Sequence, residues 1–246
     1  EHPVTEALTG LDLVEWQIRV ARGEPLPLAQ HEVQFKGHAI EVRLCAEDEN
    51  FIPHTGRVLH FSGPAATQFG ITSPGSRAAT GPRLRFDHAI EAGLEVTPHY
   101  DAMLGKLIVH AATREAAIDG LVQALGQTEL LGLPTNRAFL AACLDHPQFR
   151  AGRALVSFLA SEAGTVRESL LKEEQKMAIK YGLSAVFSPK TALHSLPCPF
   201  SRPLRLRHRD TVSALQVRDL GAGQWLLQSL DRVALPDEPI HLANLP

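Results

Sequence analysis

Apolar Leu11, Val14, Ile18 and Ala21 recur at helical spacing, Asp12 falls in the first turn, and Gly23 with Pro25 supply a stop. The spacing predicts a helix over Leu11–Arg22. Beyond the turn at Pro25 and Pro27, the run from Glu32 to Cys45 changes period. His38, Ile40, Val42 and Leu44 fall on one side and Ala39, Glu41 and Arg43 on the other, the pattern of a strand with one charged face. Arg85–His88 and Leu104–Val109 read as short strands of the same sheet, the second an apolar run interrupted by Lys106. Thr113 is placed to cap a helix carrying Ile118, Leu121, Val122 and Leu125 on one stripe. A second helix is predicted from Asn136 to His146, with Asn136 or Thr135 as its cap and Pro147 as its end.

Between these elements, Gly63–Pro82 is crowded with Gly, Pro, Ser, Thr and Ala and predicts a long exposed loop. From Ser161 to Tyr181 the composition shifts to Glu, Lys and Arg, with Val166, Leu170, Met177 and Tyr181 as a thin apolar stripe, which predicts a solvated helix or linker. Short strands are predicted at Leu204–His208, Leu215–Val217 and Trp225–Gln228, and no element in the tail from Pro236 to Pro246. The chain thus divides into a mixed unit over 1–160, a helical linker over 161–195 and a small, incomplete antiparallel β unit over 196–246. The fold class is α+β.

Composition narrows the function classes. The formal net charge of -3, with Lys and Arg spread along the 246 residues, gives no basic footprint for nucleic acid or an anionic membrane. Cys45, Cys143 and Cys198 are far apart with no C-x-x-C pair, which fits a reducing compartment, the cytoplasm or a mitochondrial matrix. No stretch of about 18 apolar residues exists to span a bilayer. The opening Glu1–Glu6 lacks the pattern of a signal peptide and reads as mid-domain sequence.

The chemistry-bearing motifs are sparse. No phosphate-binding glycine loop, H-E-x-x-H or G-x-S-x-G is present, and the dispersed His, Asp and Glu residues predict no metal site in this chain. Period-2 geometry puts Glu41 and Arg43 on one face of their strand. By spacing alone that pair reads as a surface ion pair, worth only about 0 to 1 kcal/mol.

A resemblance sharpens that picture. Glu1-His2-Pro3-Val4-Thr5-Glu6, Thr9-Gly10-Leu11-Asp12-Leu13-Val14, Gly37-His38-Ala39-Ile40-Glu41-Val42-Arg43, Ala46-Glu47-Asp48, Arg85-Phe86-Asp87, Tyr100-Asp101-Ala102-Met103, Gly105-Lys106-Leu107 and Gly132-Leu133-Pro134-Thr135-Asn136 resemble, in order and spacing, the biotin carboxylase family of biotin-dependent carboxylases. The resemblance covers roughly residues 1–160, with a longer loop than the family's between Pro64 and Pro82. It implies the end of an ATP-grasp fold followed by an antiparallel sheet with helices, the C-terminal part of a biotin carboxylase. More weakly, the region after 182 resembles the domain joining biotin carboxylase to carboxyltransferase in the α subunits of acyl-CoA carboxylases of the methylcrotonyl, geranyl and propionyl type.

The resemblance implies that the parent enzyme uses ATP and Mg2+ to activate bicarbonate as carboxyphosphate, then carboxylates biotin held on a separate carrier domain. Glu1 matches the family's general base, and Arg43 the arginine that contacts bicarbonate and stabilises the biotin enolate, a task suited to a planar, permanently charged fork. Glu41 would orient Arg43. His99-Tyr100-Asp101 is implied to be a structural turn, and Arg85 to lie near a subunit interface. The family's nucleotide-binding residues and its biotinylation motif match nothing in this chain, so the fragment alone is expected to be inactive. The implied partners are a carboxyltransferase β subunit, the biotin carboxyl carrier domain and a second copy of the chain. The alternative is a non-catalytic assembly module that binds a carboxyltransferase β subunit, with Glu1 and Arg43 as relics.

Overall fold

The computed structural model describes residues 2–67, 82–186, 200–209, 211–221, 224–230 and 240–241. Glu1, most of the loop predicted after Gly63 and the predicted tail apart from Ile240–His241 lie outside the described residues. The chain separates into two compact units, Glu1–Arg167 and Glu168–Pro246.

The first unit runs through helices α1 (Pro3–Thr9) and α2 (Leu13–Ala21), a 3-10 turn at Gln30–Glu32, and strands β1 (His38–Cys45), β2 (Gly56–Arg57), β3 (His60–Ser62), β4 (Arg83–His88), β5 (Glu95–Val96) and β6 (Met103–Ala111). Helix α3 (Arg114–Gln127), strand β7 (Glu129–Leu131), helices α4 (Arg137–Asp145) and α5 (Pro147–Arg150) and the start of α6 (Phe158–Val186) follow. Its main sheet is antiparallel in the order β1-β6-β4, with two-stranded pairings β2-β5 and β3-β7 beside it. The chain is α+β, as the alternating periods predict.

Sheet alternation divides the sheet into two chemically distinct faces. On one, Ile40, Val42 and Leu44 of β1, Leu107 and Val109 of β6 and Phe86 of β4 are buried. Ala117, Ile118, Leu121, Ala124 and Leu125 of α3 complete this core, the stripe predicted from their spacing. Thr113 caps α3 by accepting from the Ala116 amide. The other face carries Glu41 and Arg43 of β1, Lys106 and Ile108 of β6, and Arg83, Arg85 and Asp87 of β4.

Several boundaries move from their predicted places. Asp12 precedes α2 as its N-cap, accepting from the Glu15 amide, rather than sitting inside the first turn. Helix α1 carries too few apolar positions to be visible as a period. The first predicted strand begins at His38, not Glu32. Gly37 adopts φ +73 where a Cβ would meet the Ala111 carbonyl at 2.4 Å, and this left-handed residue marks where the ladder starts. At the start of the predicted loop, Thr67 joins the sheet edge, donating its amide to Leu84 and accepting from Phe86.

The second unit builds a four-stranded antiparallel sheet in the order β11-β10-β9-β8 from β8 (Arg202–His208), β9 (Thr211–Gly221), β10 (Gln224–Ser229) and β11 (Ile240–His241). Leu215, Val217, Trp225, Leu227 and Ile179 form its core. The strands are longer than their apolar stretches predict because the polar outward positions also pair. Ile240–His241 forms a short strand inside the predicted structureless tail, where pairing with Gln224 and Trp225 supplies what local pattern lacks. Arg209 bends the β8-β9 hairpin at φ 52, and Glu174 of α6 holds it through two hydrogen bonds of 3.1 and 3.0 Å.

Three outcomes follow for stability, each measured by denaturant or thermal unfolding of the whole chain. Leu121→Ala, at a fully buried site, lowers stability by about 2–5 kcal/mol. Gly132→Ala forces a Cβ to within 2.2 Å of the Arg57 carbonyl at φ +115 and costs on the order of 3 kcal/mol. His88 packs between Phe61 and Phe86, and burial pushes its pKa below the ordinary histidine range. The unfolded chain therefore binds this proton more tightly, so His88 removes stability as pH falls through that range. Asn in its place keeps an acceptor for the Ile90 amide and flattens the difference between melts at pH 5 and pH 7.

Candidate functional site

Strand β1 is an edge strand, bonded to β6 on one side and carrying Glu41 and Arg43 outward on its polar face. The predicted pair is brought together: Arg43 Nε lies 3.5 Å from Glu41 Oε1. The arginine side chain is 63% exposed and the glutamate 16%. A carboxylate half-sunk in the sheet thus faces a guanidinium whose fork remains open to solvent, able to receive an anion.

The ladder adds a second cation that no sequence spacing reveals. Arg43 stands opposite Lys106 on β6, and Asp87 of β4 stands opposite Lys106 on its other side. Lys106 forms no ion pair among the described residues. Two cationic side chains directly across an antiparallel pair repel each other unless an anion or a carboxylate lies near. Glu41 beside Arg43 and Asp87 opposite Lys106 place a carboxylate next to each of them on this face.

Helix α1 lies against β1 and β6. Its Glu6 is 7% exposed and accepts from Arg85 at 3.1 Å, while Asp87 accepts from the same guanidinium at 2.7 and 2.6 Å. The hydrogen bonds to Asp87 and Glu6 hold Arg85 above its usual pKa despite partial burial. The pairing of Glu6 with Arg85 joins residues 79 positions apart and fixes α1 over the polar face, where Ile108 is buried.

Sequence reasoning takes Asn136 as a helix cap, and here the structure differs. Asn136 occupies the N-cap position of α4 but makes no side-chain capping bond. Its carboxamide instead accepts from the Cys45 amide at 2.9 Å and donates to the Arg43 carbonyl at 3.1 Å. A partner 93 residues away outcompetes the local cap, and no short-range signal announces it.

Neighbouring groups are less disposed to chemistry. Burial pushes the Cys45 thiol up to about 11, with Glu47 and Asp101 adding to the rise, and burial does the same to Cys143. Both remain protonated and poorly nucleophilic near neutrality. Tyr100 is exposed, and Asp101 caps the turn into β6 by accepting from the Met103 amide at 2.9 Å. Among the described residues no group of three or more His, Cys, Asp or Glu side chains could hold a metal ion, and no helix is long and apolar enough to cross a membrane.

Comparison with known proteins agrees with this geometry. The family described as biotin carboxylase C-terminal domain matches residues 41–161, and the ATP-binding domain of the carbamoyl-phosphate synthase L chain matches residues 1–29. A biotin carboxylase of Halalkalibacterium halodurans is 46% identical over 162 residues, covering 65% of this chain and 32% of that protein. The mitochondrial methylcrotonoyl-CoA carboxylase subunit alpha of Mus musculus is 37% identical over 217 residues, covering 84% of this chain and 28% of that protein. Among solved structures, the biotin carboxylase domain dimer of Hydrogenobacter thermophilus 2-oxoglutarate carboxylase, in complex with MgADP, ADP and bicarbonate, aligns with TM-score 0.58 at 36% identity over 68% of this chain and 34% of that one. The chain spans about a third of the length of these relatives. With the charged sheet face built on residues inside the matched region, residues 41–161 of the chain form a biotin carboxylase C-terminal domain.

Proposed function

We propose that this chain supplies the C-terminal part of the biotin carboxylase component of an acyl-CoA carboxylase, in the ATP-dependent carboxylation of carrier-bound biotin with bicarbonate. The observation that carries this reading is the open guanidinium of Arg43 beside Glu41 and opposite Lys106, which has no ion pair among the described residues, inside the biotin carboxylase match. Arg43 receives the bicarbonate oxyanion and later the negative charge that develops on the ureido oxygen of biotin. A fixed cation at that point lowers the barrier because its orientation is set before the charge appears. Glu41 limits the swing of the guanidinium, and Lys106 raises the local concentration of anions.

Glu1 is the general base in this reading. It lies outside the described residues, two positions before α1, and α1 lies against the sheet that carries Arg43. In this reading ATP and Mg2+ are held by the part of the enzyme that corresponds to the other two thirds of the relatives. The match over residues 1–29 supports reading α1 and α2 as the end of that ATP-binding domain. The exposed Val14 and Ile18 of α2 then form part of the surface on which the rest of it packs.

The second unit is assigned to joining the biotin carboxylase to a carboxyltransferase β subunit. Support comes from the Mus musculus methylcrotonoyl-CoA carboxylase subunit alpha, whose match covers 84% of the chain against 65% for the Halalkalibacterium halodurans biotin carboxylase. Self-association and delivery of biotin by a carrier domain belong to the same reading. Its setting is a reducing one, cytoplasm or mitochondrial matrix, consistent with Cys45 and Cys143 as free thiols.

Arg43→Gln in the full-length subunit tests this function. Bicarbonate-dependent carboxylation of biotin falls by about 10²–10³-fold in kcat, as when a donor to a developing oxyanion is removed, with the melting temperature unchanged because the side chain is exposed. Undiminished turnover in that variant discards the assignment. Binding of a carboxyltransferase β subunit without any turnover by the wild-type enzyme favours an assembly module instead.

A further inference from the structure

Among the described residues the outer edge of β1 has no strand beside it, yet near its end its backbone groups are not left open. Arg43 and Cys45 point their amides and carbonyls to the same side of the strand, away from β6. Asn136 meets three of these groups. Its Oδ1 accepts from Cys45 N–H, its Nδ2 donates to the Arg43 carbonyl, and its own amide donates to the Cys45 carbonyl at 3.2 Å. A carboxamide presents one acceptor and two donors, so a single side chain reproduces the pairing of a neighbouring strand. The two partners also fix which end of the amide is oxygen, since an N–H must face Oδ1 and a C=O must face Nδ2.

This edge contact falls where the opposite ladder is irregular. The β1-β6 register shifts between Leu44 and Cys45. Asn136 is itself firmly seated. Its carbonyl accepts the Leu140 amide in the first turn of α4, and its neighbour Arg137 donates to the Leu125 carbonyl near the end of α3, a helix whose apolar face is the core. The chain of contacts runs from the core through α3 and α4 to the peptide group of Arg43. Among the described residues the Arg43 side chain has only the long contact to Glu41 to steady it, so its placement depends mainly on where its backbone is held.

We propose that Asn136 is a positioning residue for Arg43, acting as a one-residue strand that fixes the end of β1 and thereby the origin of the guanidinium. The inference rests on the reading of Arg43 as the group that receives bicarbonate. It does not make Asn136 a contact of any substrate.

The test is a double-mutant cycle in the full-length subunit, with Asn136→Ala, Arg43→Gln and the double variant, reading kcat/KM for bicarbonate. Asn136→Ala lowers it about tenfold to hundredfold, the scale of a displacement of about 1 Å in a catalytic group. In the Arg43→Gln background the same substitution costs nothing further, because the group it positions is gone. Amide hydrogen exchange gives a readout independent of turnover: the Cys45 amide exchanges faster in Asn136→Ala and stays slow in Asn136→Asp. The aspartate keeps the acceptor and loses the donor to Arg43, so it still loses activity, and it carries the test if the alanine variant does not fold. An inactive Arg43→Gln enzyme beside a fully active Asn136→Ala enzyme overturns this inference alone. Additive losses in the cycle overturn it as well, since Asn136 would then act on the fold at large. An active Arg43→Gln enzyme removes the reading of Arg43, and this inference with it.

Discussion

The antiparallel ladder between β1 and β6 is the constraint on which the rest of the first unit depends. Because side chains alternate along paired strands, one register decides two surfaces at once: Ile40, Val42 and Leu44 meet Val109 and Leu107 over α3, and Glu41 and Arg43 are left with Ile108 and Lys106 on the other side. A slip of one residue would bury the charges and expose the core. The hydrophobic burial that stabilises the fold and the charged surface on the opposite face are therefore consequences of the same pairing. Neither can shift without the other.

The charged face is then tuned by contacts of very different sequence range. Glu6 and Asp87 neutralise Arg85, so that guanidinium is fully engaged in holding α1 in place. Among the described residues Arg43 has only the long, half-exposed contact to Glu41, and Lys106 has no ion pair. Arg85 is thus held by two carboxylates, while Arg43 and Lys106 are less engaged. The difference lies in burial: Arg85 is largely shielded and would be costly to leave unpaired, whereas solvent stabilises the exposed charge of Arg43.

The second unit obeys the same rules with a smaller core. Its sheet closes over Leu215, Val217, Trp225 and Leu227, with Ile179 of α6 packed among them, and Gly182 gives Leu206 room to approach the helix backbone. The left-handed Arg209 in the hairpin is held by Glu174, which offsets the strain of a non-glycine residue in that conformation.

Local pattern in the sequence determined a good deal. The helical stripe from Ala117 to Leu125, the alternation from His38 to Cys45 and the pairing of Glu41 with Arg43 on one face are short-range periodicities, readable because each depends only on the geometry of its own element. The motifs around Glu41, Arg43 and Gly132–Asn136 likewise carried the family in their spacing. What the sequence left undecided is what joins distant positions. The start of β1 at His38 depends on Gly37 meeting Ala111; the short strand at Ile240 needs β10; Lys106 faces Arg43 only through the register; and Asn136 leaves its cap for a strand edge that α3 and α4 bring within reach. Periodicity states which face a residue occupies, whereas its neighbour across that face is chosen by packing of the whole chain, and only the tertiary structure could decide it.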